Sequence, residues 1–164
     1  MIKNISNHIQ TIRSLTIQSL EKLNPAFIST IPKGFNNHIH WNFGHIAYIQ
    51  ERLVFEPSGE KMGISSEYET FFAAGTAPHL WQGNPPAILK IKTVLQEQPQ
   101  RIISVAENRF TDSLPSPFTN KMGITFHTVG ECILFSIFHE GMHLETIKRI
   151  EKARQISKPN TKHS

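Results

Sequence analysis

The sequence predicts an all-α protein, a four-helix bundle with one long crossover between its second and third helices. Two observations carry this. Four segments repeat apolar residues at helical spacing, and no stretch shows the alternation of a strand. At 164 residues, with 38% hydrophobic and 18% charged residues, the chain has the size of one domain, material for a core and too little charge for disorder. One unit over residues 1–156 and a polar tail over 157–164 are expected.

The first helix runs from about Ile5 to Leu23. Ile5, Ile9, Ile12, Leu15, Thr16, Leu20 and Leu23 step by three and four, which makes one stripe. Asn24-Pro25 ends it, because the residue before a proline avoids the α region. The second helix spans about Asn36 to Phe55, between the Pro32-Lys33-Gly34 turn and Pro57. The Gly- and Pro-rich crossover over 56–84 contains one short helix, where Ser66 and Glu69 have capping-box spacing ahead of Phe71 and Phe72.

Asn84 with Pro85 and Pro86 forms a cap and first turn for the third helix, which continues to about Leu114. Pro99 is expected to kink or break it. The stretch from Leu114 to about Phe126, with Pro115 and Pro117, reads as a loop. Thr128 and Glu131 make a second capping-box pattern, and the fourth helix follows to about Arg154.

Charge excludes more than it suggests. From Lys148 onward there are six basic residues and only Glu151, so the first 147 residues hold eleven basic against twelve acidic side chains. A basic helix C-terminus complements the macrodipole, and no aromatic interleaving accompanies it, which argues against nucleic acid as a partner. No segment approaches the ~18 apolar residues of a membrane span, and the start lacks the apolar stretch of a signal peptide. The lone Cys132 excludes an intramolecular disulfide and favours a reducing compartment, so the expected location is cytoplasmic.

Nine histidines are many for this length. His139-Glu140-Gly-Met-His143 places two of them one helical turn apart on one face, where both imidazoles can reach one ion. Bonds to backbone or water would satisfy them equally well. His45 is the best third member: it lies mid-helix among apolar residues, with Trp41 and Ile49 one turn to either side, a costly place for an unsatisfied imidazole. Ser136 shares the stripe of His139 and His143. His38 lies two turns before His45, in either an exposed or a supporting position. His40 falls on the other side and is expected to be exposed, and His8, His79, His127 and His163 read as surface residues. Cys132, about 10 Å along the axis from His139 at 1.5 Å per residue, reads as a small core residue.

Trp41-x-x-x-His45 together with His139-x-x-x-His143 resembles the DinB-like (DNA-damage-inducible) superfamily, which includes bacillithiol transferases and mycothiol-dependent enzymes. The stretches Phe71-Phe-Ala-Ala-Gly-Thr76, Trp81-x-Gly83, Pro86 and Thr128-Val-Gly are similar too, so the resemblance covers most of the chain. It implies a four-helix bundle, often a homodimer, with one divalent ion held by His45, His139 and His143. Three imidazoles accept zinc, nickel, cobalt or iron, and zinc or nickel is the expected ion. Trp41, His38 and Ser136 then fall around the pocket.

Three neutral imidazoles leave such an ion at least one open position, unlike a closed structural site. The bound ion would lower the pKa of a thiol or a water. A transferase acting with a low-molecular-weight thiol, a metal-dependent hydrolase and a non-catalytic metal-binding stress-response module are the three readings. Glu140 is a candidate proton acceptor, or else an ordinary helical glutamate. His139-Glu140-x-x-His143 also matches the zincin peptidases, but the metzincin continuation is missing and no edge strand is expected to hold a peptide.

Overall fold

The computed structural model describes residues 2–156; the tail expected over 157–164 lies outside the described residues. The chain is mostly helical: α1 (Ile2–Glu21), α2 (Ile39–Gln50), α3 (Glu67–Phe72), α4 (Ile88–Arg109) and α5 (Val129–Ile156). The four long helices pack against one another, α1 on α4 and α5, and α2 on α4 and α5. A π-helical turn, Glu51–Phe55, continues α2, and the crossover from there to α4 carries α3.

Two expectations are corrected. The region read as a loop forms an antiparallel ribbon, β1 (Ser113–Thr119) and β2 (Thr125–Thr128), with Phe118 opposite Phe126. Its prolines hid it. Pro115 and Pro117 fall in the irregular stretch between the pairs Ser113–Thr128 and Phe118–Phe126, and a two-stranded ribbon leaves one edge of each strand free. Gly123, at φ 78°, closes the turn, and the Asn120 side chain accepts from the amides of Met122 and Ile124.

Pro99, in turn, does not break its helix. Proline leaves the carbonyl four residues back without its helical donor. Here that carbonyl, Leu95 O, accepts from the Arg13 guanidinium at 2.5 Å. The capping pattern at Thr128 and Glu131 is complete: Glu131 accepts from the amides of His127 and Thr128, and the Thr128 hydroxyl accepts from the Glu131 amide. Ser66 precedes α3 as expected, yet its hydroxyl makes no cap bond.

The apolar core is in two clusters. Ile9, Leu53, Ile102 and Ile133 belong to one, and Leu23, Phe43, Leu95 and Ile147 to the other. Along each long helix the change from one cluster to the other occurs at buried polar residues: Arg13 and Thr16 on α1, Gln50 at the end of α2, Gln98 on α4, and His139 and Glu140 on α5. These polar groups are joined. Arg13 Nε donates to Glu140 at 2.9 Å, Thr16 Oγ1 at 2.6 Å and Gln50 Nε2 at 2.7 Å. Arg13 also donates to the side-chain oxygens of Gln50 and Gln98, and Gln98 donates to the buried Glu51.

A further close approach ties α3 to α2. A Cβ on Gly44 would lie 2.4 Å from the Phe72 ring, so only glycine lets that ring lie across the helix.

Two substitutions test these contacts by thermal or urea unfolding. Arg13→Met should cost about 3–5 kcal/mol, because it strands the Glu140 carboxylate in the interior, and Arg13→Met with Glu140→Leu should recover much of the loss. Gly44→Ala should cost about 1–3 kcal/mol through overpacking against Phe72.

Candidate metal centre

α2 and α5 bring His45, His139 and His143 together. One ring nitrogen from each lies within 4.8 Å of the other two, and the ring centroids are 4.5 to 5.1 Å apart. His45 and His139 are buried, while His143 is partly exposed.

Each ring is held from behind in its own way. His45 Nδ1 donates to the Phe72 carbonyl at 2.6 Å, the group that the Phe72–Gly44 contact brings over α2. His143 Nδ1 donates to Asn42 Oδ1 at 2.8 Å. Asn42 is oriented in turn, since its amide donates to the His38 carbonyl at 2.9 Å. These bonds put the protons of His45 and His143 on Nδ1 and leave the Nε2 lone pairs free. His139 differs: its Nδ1 is buried with no hydrogen-bond partner among the described residues. Trp41 stacks on His45 at 4.3 Å between centroids, and its indole N–H donates to Thr76.

The remaining predicted residues fall elsewhere. His38 is the N-cap of α2: its Nδ1 accepts from the Trp41 amide at 3.0 Å, and its ring touches His40 and Trp81. It supports the cluster through its backbone carbonyl and Asn42. His40, expected to be exposed, is buried with Nε2 donating to Pro86 O at 2.8 Å, because the chain ahead of α4 covers that side of α2. Ser136 is buried and donates to the Ile133 carbonyl. Cys132 is a core residue, its thiol pushed up to about 11 by burial.

Glu140 is not free to act as a proton acceptor beside His139. Its two carboxylate oxygens are taken by Arg13, Thr16 and Gln50. The residues that sequence reasoning missed are Asn42, Arg13 and Gln50. Asn42 alone left a trace, as an amide three residues before His45 in the same helix.

Beside the cluster a cavity of about 220 Å³ opens between α2, α3, the ribbon and α5. His45 and His139 line its inner end, and Ile49, Leu53 and Phe135 its walls.

A DinB superfamily model matches residues 8–147 of the sequence. The chain belongs to the DinB superfamily. No curated protein matches the sequence. For a DinB protein, a member of a metal-binding superfamily, the three-histidine group has the expected donor type, and the geometry above makes it a group suited to an ion. Among the described residues, no helix is long and apolar enough to cross a membrane.

Burial holds all three imidazoles neutral. Desolvation, then the nearness of the other histidines, takes His139 down to about 2 and His45 to about 3, and desolvation takes His143 to about 4. An unfolded histidine titrates near 6.5, so below that pH the unfolded chain binds more protons and stability falls as pH falls. The melting temperature of metal-free protein should therefore drop steadily from pH 6.5 toward pH 4. A flat profile in that window would contradict the burial of these rings.

Proposed function

We propose that His45, His139 and His143 hold one divalent ion, zinc or nickel, and that the protein is a metal-dependent transferase acting with a low-molecular-weight thiol. The observation that carries this reading is the set of three convergent neutral imidazoles, two with their protons committed to Phe72 and Asn42, beside a cavity. Three donors at about 2.0–2.1 Å from one ion stand roughly 3.4 Å apart, so a shift of under an ångström in each side chain brings nitrogens that now lie within 4.8 Å of one another to that spacing.

When bound, the ion supplies a lowered pKa to a thiol, which raises the thiolate fraction near neutral pH. The chain does the rest. Phe72 and Asn42 fix the tautomers and ring directions of His45 and His143, and Trp41 stiffens His45 by stacking. The apolar walls of the cavity keep water from an electrophile held against the nucleophile. In the transfer a carbon–sulfur bond forms, the leaving group departs with its electron pair, and the thiol proton passes to solvent.

The hydrolytic reading is weaker because its candidate base, Glu140, is bound into the interior network. A non-catalytic module that binds a small molecule without turnover would use the same cavity, and turnover separates the two readings. A single 1–156 unit, the four-helix-bundle arrangement of α1, α2, α4 and α5, and a homodimer belong to this proposal. The exposed Leu134 and Phe138 on α5 give a homodimer an apolar face.

Protein purified without a nickel column should carry about one divalent ion per chain, and His45→Ala should carry almost none. Asn42→Ala should weaken metal affinity about 10–100-fold in a chelator-competition titration. Metal-dependent conjugation of a thiol to a monobromo acceptor should vanish in His45→Ala. Full metal loading with no turnover on any such thiol would favour the non-catalytic module instead.

A further inference from the structure

The mouth of the cavity carries cations that the three imidazoles do not use. Arg52 and Lys121 both line it, against one acid, Glu69. With the histidines neutral, the charged lining has an excess of one positive charge, before any ion is added. Arg52 is partly committed: it pairs with Glu56 one turn along, and its guanidinium lies 5.8 Å from the Phe118 ring centroid.

Lys121 is different. Its ammonium donates to the Ala74 carbonyl at 2.5 Å, and among the described residues no carboxylate pairs with it. That bond runs from the ribbon turn to the chain just past α3 and places the cation at the edge of the cavity. An ammonium has three donors, and only one of Lys121's has a described partner. The turn itself is held by Asn120, so the position of Lys121 is built rather than incidental. A cavity of about 220 Å³ is smaller than the ~300 Å³ from which drug-sized pockets begin, so its occupant is small.

We infer that the cavity takes a small carboxylate ligand, with its anionic end at Lys121 and Arg52, its stem on Ile49 and Leu53, and its other end facing His45 and His139. The lining field draws an anion inward, and the two cations give it a direction. This rests on the proposed metal site for the inner end of the ligand alone. Recognition of the carboxylate needs no ion.

The test compares 3-mercaptopropionate with its neutral amide, 3-mercaptopropionamide, on the full chain, both metal-free and loaded with cobalt(II). Binding is followed by tryptophan fluorescence and, in the loaded protein, by the thiolate-to-cobalt absorption band. The acid should bind about five- to tenfold more tightly than the amide in both forms. Lys121→Met should erase that preference and Lys121→Arg should restore it, with cobalt uptake and melting temperature unchanged. Equal binding of acid and amide, no binding of the acid to either form, or a preference that survives Lys121→Met would overturn the inference. Failure to take up cobalt would count against the metal site, and the metal-free comparison would still decide the carboxylate question.

Discussion

The buried pair of Arg13 and Glu140 is the contact on which the rest of the structure depends. A guanidinium and a carboxylate in an apolar interior are costly to desolvate and are tolerated when every donor and acceptor is met. Here they nearly all are, by Thr16, Gln50, Gln98 and the Leu95 carbonyl, which come from three helices besides α5. Such a network admits few alternative registers, because sliding one helix by a turn would strand several buried polar groups at once. It divides the core into two apolar clusters and sets the height at which α5 meets α1, α2 and α4.

That height is also where the histidines lie. Glu140 follows His139 directly, so the helix face clamped by Arg13 and the face carrying His139 and His143 are parts of the same turn. On α2, Gln50 answers Glu140 little more than one turn beyond His45. The polar layer and the histidine cluster thus share their two supporting helices, and the network that stabilises the interior also fixes how far apart the imidazoles stand. A glutamate in the position of a catalytic base serves here as a structural anchor. The short crossover helix adds a third constraint: Gly44 lets Phe72 come close enough for its carbonyl to hold His45.

Several of these features were legible in the residues. The 3.6-residue stripes, the proline boundaries and the Thr128–Glu131 cap act through neighbours in sequence, and the helices they predict are present within a few residues of the expected ends, apart from the third. Its carboxyl end was misjudged because Pro115 and Pro117 mask a ribbon whose pairing is set by Phe118, Phe126 and the Asn120 turn. The break considered at Pro99 does not occur, for a related reason. Its cost depends on what satisfies the Leu95 carbonyl, and the donor, Arg13, is 82 residues away from Leu95. His40 was placed outside by helical phase alone, while the covering segment at Pro86 comes from another part of the chain.

The sequence by itself determined which residue types stand on which helical faces: His139 beside His143, His45 between Trp41 and Ile49, and a family pattern spanning most of the chain. Spacing of three or four residues suffices for that, since it is a property of one helix. Only the tertiary structure decided how those faces are held: that Asn42 and Phe72 fix two of the rings, that Glu140 turns away to Arg13, and that Lys121 stands at the mouth of the cavity. Each of these relations joins residues on different elements. Their partners are selected by packing and by the cost of leaving a buried polar group unpaired, which no local pattern records.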